Sequence, residues 1–251
     1  MIYFGIPLRS KVSSNNWEQV CMLFNRTLWS IYNQTNPNFR IIIACHEKPE
    51  LTRNYDNRVE FIQVDIPFPK NLQEQMIDKG YKVHTIAKRI REYGGGYTLI
   101  ADADDLYSNK ISQFVFEHPN ENGWVMKTGY EYIWNKNYLK YSMKHPPQPI
   151  VNYTLNELPE DLDEAMNSSE IGAKYIIRKG HGNIEKVCKE LGRPLKKLPF
   201  PAHVYVKYHG DNHSLLNGQD SLLRRILRFF MPIIQPNKNT RMKNEFSIDW
   251  I

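Results

Sequence analysis

Three carboxylates fall within four residues at Asp102-Ala103-Asp104-Asp105, directly after the apolar run Leu99-Ile100-Ala101. Acids packed this closely repel one another, so they need either full solvation or a neutralising cation. A hard divalent ion such as Mg²⁺ or Mn²⁺, itself holding the phosphates of a substrate, is the usual neutraliser. The alternative is an ordinary acidic turn, because Asp is a common turn former. Downstream, His181 lies between Gly180 and Gly182. An imidazole with an ordinary pKa near ~6.5 suits general-base work, although local hydrogen bonding would also account for a loop histidine there. His203, His209 and His213 fall within eleven residues. Neutral imidazole is a ligand that Mn²⁺ accepts, and no cysteine or carboxylate stands near them at zinc spacing.

The elements that must position these groups read as alternating strands and helices. Residues 2–6 form an apolar strand stopped by Pro7, with Arg9 and Lys11 just beyond. Apolar positions over 17–32 recur at helical spacing, from Trp17 and Val20 to Leu28 and Ile31. Phe39 to Cys45 carries Ile41, Ile42 and Ile43 in series, the pattern of a strand covered on both faces. A third strand over 59–64 ends at Asp65. Residues 81–93 read as a basic helix containing Lys82 and Arg89, ended by Gly94-Gly95-Gly96, and the strand into the acidic cluster follows. This order predicts an α/β fold with a mostly parallel sheet flanked by helices. Ligands on such sheets bind beyond the carboxyl ends of the strands. That rim would carry Pro7, Arg9, Glu47, Asp65 and Asp102 to Asp105.

The second half predicts strands over 123–128, 173–177 and 203–208 and a helix over 183–191. Residues 130–141 are rich in aromatics, and 156–167 are acidic and irregular. Residues 221–234 read as a basic amphipathic helix that Ser221 can cap and Pro232 can end. Such a helix would lie either on an anionic membrane surface or on the domain itself. The chain of 251 residues, 41% apolar, is long enough for one sizeable core, and its net charge of +6 suits anionic partners. Three widely spaced cysteines suggest no disulfide framework, which fits a cytoplasmic location. No apolar run is long enough to span a membrane. The basic balance and the aromatics also fit a nucleic-acid-binding or nucleotide-processing protein. No nucleic-acid motif stands out, however, and no nucleic-acid partner is expected.

Leu28-Trp29-Ser30-Ile31, Gln34-Thr35, the isoleucine-rich second strand and Ala101-Asp102-Ala103-Asp104-Asp105 together resemble family-2-like GT-A glycosyltransferases of bacterial surface polysaccharide synthesis. The match covers residues 1 to about 110, and is looser beyond. The resemblance implies a GT-A-like, Rossmann-like domain over 1–215, with a nucleotide-sugar half (1–110) and an acceptor half (111–215), and a basic tail over 216–251. It implies inverting transfer of a sugar from a nucleotide donor to a glycan or lipid-linked glycan of lipopolysaccharide, capsule or exopolysaccharide. A sugar-nucleotide-binding module without turnover is the alternative. Peripheral contact with the inner face of the bacterial plasma membrane would run through 221–234, and the cofactor would be Mn²⁺ or Mg²⁺. By the same resemblance Asp102 and Asp104 meet the metal, with His209 as the late histidine ligand and His203 and His213 competing for that place. Pro7, Arg9, Asp65, Lys82, Arg89, Asp102 and Ala103 line the nucleotide sugar, and Asp105 either orients the acceptor side or stands behind the groups that touch the ligand. The family's second-strand acid corresponds to Cys45-His46-Glu47. Its catalytic base corresponds to Lys179 to Asn183, so His181 is the first candidate, with Glu170 or Asp163 as alternates.

Overall fold

The structure is a computed structural model and describes residues 1–143, 146–163, 174–207, 233–234 and 239–247. Its main sheet has seven strands: β1 (Ile2–Pro7), β2 (Phe39–Cys45), β3 (Val59–Gln63), β4 (Gly96–Ile100), β6 (Gly123–Met126), β9 (Gln148–Tyr153) and β10 (Lys196–Lys197). Their spatial order is β10-β6-β9-β4-β1-β2-β3, and only β9 runs against the rest among the described strands. The protein is therefore a mixed α/β domain built on a large, mostly parallel sheet flanked by helices.

Helices cover both faces because strand side chains alternate. Phe4, Ile6, Ile41, Ile43 and Leu99 pack with Phe24, Leu28 and Ile31 of α1 (Trp17–Tyr32) and with Ile111 and Val115 of α3 (Ile111–Glu117). Tyr3, Ile42, Ala44 and Ile100 face the other way, onto Val83, Ile86, Ala87 and Ile90 of α2 (Leu72–Glu92) and Ile184 of α4 (His181–Glu190). At Gly5 the approach of α2 is so close that a β-carbon would lie 2.7 Å from Ile86 Cγ2.

Several expectations change. Helix α2 begins nine residues before the expected start, because Asn71 caps it by accepting from Glu74 N–H at 2.9 Å while Glu74 accepts from Lys70 N–H. Residues 176–178 make a single 3₁₀ turn where a strand was expected. The aromatic segment folds into the hairpin β7 (Gly129–Ile133) and β8 (Tyr138–Ser142), with Tyr130 and Tyr132 buried. That hairpin belongs to a second sheet, ordered β12-β8-β7-β11-β5, with β5 (Leu106–Tyr107), β11 (His203–Lys207) and β12 (Ile233–Ile234).

Residues 221–232 lie outside the described residues. Ile233 and Ile234, the last two positions of the expected helix, are instead strand, paired with Lys140 and Leu139. Nor do residues 240–246 trail away from the domain. They form α5 (Thr240–Phe246), whose Met242 and Phe246, one helical turn apart, pack against Leu23, Leu106, Tyr130 and Val204. Among the described residues no helix is long and apolar enough to cross a membrane.

Candidate active site

Strand order reverses between β1 and β4, the two neighbours at the centre of the main sheet. The crevice beyond the carboxyl ends of such a pair is where open α/β sheets receive ligands. The acidic turn starts there. Ala101 N–H still bonds Gly5 O at 2.8 Å, and from Asp102 the chain leaves β4 for β5 in the second sheet. The turn is pinned along its length. Tyr107 Oη accepts from Asp102 N–H at 3.0 Å, and Thr27 Oγ1 donates to Ala103 O at 2.9 Å.

Asp102 is partly exposed and gathers three side chains from three elements. Lys79 Nζ of α2 lies 2.8 Å from one carboxylate oxygen. The other oxygen lies 3.4 Å from Gln148 Nε2, at the start of β9, and 3.6 Å from His181 Nε2, at the start of α4. Burial alone would raise the Asp102 carboxyl, but Lys79 and His181 outweigh it and hold the group well below the usual carboxylate range. His181 owes its position to Gly180, whose φ of 72° and ψ of 150° suit glycine alone and turn the chain into α4. The first turn of α4 has no side-chain cap, so its N–H groups favour an anion nearby. Gly80, beside Lys79, leaves room for the Arg178 guanidinium, which together with Gly180 and His181 lines a small cleft here.

Other sequence-predicted residues distribute along the same rim or away from it. Pro7 ends β1 and Arg9 follows, partly exposed. Asp65 is exposed, two residues past the end of β3. Glu47, just past β2, accepts from Lys11 N–H at 2.7 Å. Ala103 and Asp104 share the turn with Asp102, both partly exposed. Glu170 and His209 lie outside the described residues, and Asp163 is exposed in a loop.

Three roles are corrected. Asp105 does not face an acceptor: it is 1% exposed, accepts from His203 Nε2 at 2.8 Å and from Val206 N–H at 2.9 Å, and so fastens β11 to the turn. The same contact takes up His203, which also stacks on Tyr107. Lys82 does not reach the rim as a phosphate counter-charge. It is 1% exposed and donates to Leu8 O and Asp78 Oδ2, both at 2.7 Å, while Asp78 Oδ1 meets His46 Nε2 at 2.7 Å. Desolvation lowers the Lys82 pKa, and Asp78 offsets part of that. Arg89 lies ten residues beyond Lys79, about 15 Å further along the helix, and pairs with Glu60 and Glu92.

Sequence reasoning missed Lys79 because the helix was read as starting at 81. Gln148 carried no signal beyond its place between prolines. No group of three His, Cys, Asp or Glu side chains converges on a metal-sized position among the described residues. Asp102 and Asp104 nonetheless offer the hard oxygen donors that Mg²⁺ or Mn²⁺ takes when phosphates and water complete its shell. The residues fit a cation that arrives with its phosphates.

The charged cleft lies at the switch point of the mostly parallel sheet of an α/β domain. No protein-family model matches the chain, and no curated protein matches it. The chain is similar to the crystal structure of a "putative nucleotide-diphospho-sugar transferase" from Desulfovibrio desulfuricans G20, at 10% identity over 91% of this chain and 93% of that one. The TM-score is 0.37, a level of likeness that carries no functional inference.

Proposed function

We propose that the chain is a nucleotide-sugar-dependent glycosyltransferase whose donor diphosphate binds beside Asp102. The observation that carries this reading is the grouping of Asp102, Lys79 and His181 at the carboxyl end of β4, next to β1. A lysine, an uncapped helix start and an acid suited to a cation meet the needs of a departing diphosphate. Asp102 and Asp104 would hold Mn²⁺ or Mg²⁺, which when bound draws negative charge off the leaving group.

The chain's own residues supply the rest. Lys79 releases Asp102 when the donor enters and turns its ammonium to the phosphates. His181 accepts the proton of an acceptor hydroxyl as the hydroxyl oxygen bonds the anomeric carbon. The bond from that carbon to the phosphate oxygen breaks, and the nucleoside diphosphate leaves with the electron pair. Asp102, beside His181, stabilises the imidazolium that forms. A glycan or lipid-linked glycan acceptor belongs to this proposal, as does membrane contact through the part of 221–234 that precedes the strand at Ile233 and Ile234.

The test is a thermal-shift screen of UDP-, GDP-, CMP- and dTDP-sugars, with and without Mn²⁺. A donor at a hundredfold excess over its Kd stabilises by about 2.7 kcal/mol, or roughly 5–10 °C for a chain of this size. Sugar transfer or donor hydrolysis in the presence of the stabilising donor separates an enzyme from a binding module. No shift with any donor, or an equal shift in Asp102→Ala, overturns the reading.

A further inference from the structure

Gln148 is 3% exposed, and its carboxamide oxygen is buried without a hydrogen-bond partner. The orientation of the amide is not arbitrary. Its Nε2 lies 3.4 Å from Asp102 Oδ2, and the flipped amide would set oxygen against carboxylate oxygen. Asp102 therefore fixes which end of the amide is left over. Backbone pairing adds the location: Thr98 pairs with Val151, so three residues further Gln148 comes level with Ala101, at the rim where the acidic turn begins. A buried acceptor without a donor costs about 1–3 kcal/mol, a penalty retained where a ligand relieves it.

We infer that Gln148 accepts a hydrogen bond from a hydroxyl (or N-acyl N–H) of the transferred sugar, an inference that rests on the nucleotide-sugar reading above. The chemistry is selective. Ionised phosphates carry acceptors only and cannot satisfy this oxygen, whereas a sugar hydroxyl can. The two oxygens of Asp102 thereby divide the cleft. The one against Lys79 faces the phosphate side, and the one between Gln148 and His181 faces the sugar side, where transfer takes place. Gln148 is thus a specificity-determining residue that handles no proton.

The experiment uses the full chain and the variants Gln148→Met and Gln148→Leu. Without ligand, both should melt close to the wild-type temperature, since removing the unsatisfied acceptor offsets the loss of the long 3.4 Å contact from Nε2 to Asp102. A drop of several degrees in both would mean that the oxygen is satisfied within the protein and would overturn the inference. Calorimetric titrations then compare UDP with UDP-glucose, GDP with GDP-mannose and dTDP with dTDP-glucose. Affinity for the diphosphate that binds should stay within about twofold, while its sugar nucleotide weakens about tenfold, near 1.4 kcal/mol. In the best-binding sugar nucleotide, replacing one hydroxyl by fluorine, which accepts but does not donate, should cost the wild type about tenfold at one position and Gln148→Met nothing there. Equal losses for diphosphate and sugar nucleotide, or unchanged affinities, overturn the role of Gln148 while leaving the donor site standing. Wild-type protein that binds no diphosphate and no sugar nucleotide removes the donor site and this inference together.

Discussion

The acidic turn joins two sheets, and its two ends sit in opposite surroundings. At the first end Asp102 keeps part of its carboxylate exposed and meets side chains from α2, β9 and α4. At the other end, three residues on, Asp105 is sealed from solvent and spends both oxygens on β11. The same side chain thus holds the molecule together in one place and leaves a charge available in the other. What separates the two is the neighbouring strand. Where the chain has left β4 the rim is open, and where it has become β5 the second sheet has closed over it.

Removing the buried end should have the largest effect. Asp105→Ala takes the carboxylate from the neutral His203 imidazole and from the Val206 N–H in the core, and each buried donor that loses its partner costs about 1–3 kcal/mol. Urea unfolding measures it. A variant as stable as the wild type but unable to bind donor would invert the comparison. Acid should act on the same end. Burial holds His203 down to about 3, against 6.5 in the unfolded chain, even though Asp102 and Asp104 pull it upward. The unfolded state therefore takes up a proton that the native state refuses. Stability from this group is complete above pH about 6.5 and falls by about 1.4 kcal/mol per unit until about pH 3, near 3 kcal/mol at pH 4.5. His203→Gln should flatten that part of the pH profile. Stability that rises on acidification through this window would mean an imidazolium–carboxylate pair instead.

At the open end the effects should move from stability to binding. Asp102→Asn removes charge from a partly exposed group, so its cost in unfolding free energy should be clearly smaller than that of Asp105→Ala. Donor affinity measured with Mn²⁺ should fall about 100-fold, near 2.7 kcal/mol. A loss of stability comparable to that of Asp105→Ala would erase the distinction between the two ends.

Much of the parallel sheet was legible because β-branched runs such as Ile41-Ile42-Ile43 report burial on both faces, and that is how β2 sits. The acidic turn was legible as a unit, but the division of labour inside it was not. Nothing local distinguishes Asp105 from Asp102; only the return of β11, about 100 residues later, decides which acid is covered. The start of α2 was readable from Asn71 and Glu74, a capping pair passed over because the apolar spacing fades before Tyr81. That oversight hid Lys79 and put Lys82 in its place. Residues 130–141 stand out only by their aromatics, and composition alone does not say what they pack on; Tyr130 packs on Tyr141 and Phe246, because a hairpin in a second sheet needs its own core.

The smallest expected effects come from two cations on one helix, and they sharpen the contrast most finely. Lys79 sits at the rim end of α2 against Asp102, and Arg89 sits at the far end between Glu60 and Glu92. Both are more than a third exposed, so neither ion pair should be worth more than about 1 kcal/mol of stability. Their difference should appear with donor. Lys79→Ala removes a charge that can turn to the diphosphate, so affinity should fall about tenfold, near 1.4 kcal/mol, with a weaker dependence on salt. Arg89→Ala should leave affinity within about twofold, because roughly 15 Å of helix separates it from the rim and that distance exceeds the screening length at physiological salt. If the two variants lose affinity equally, the positive charge acts through the general field of the protein, and the cleft beside Asp102 has no local claim on the phosphates.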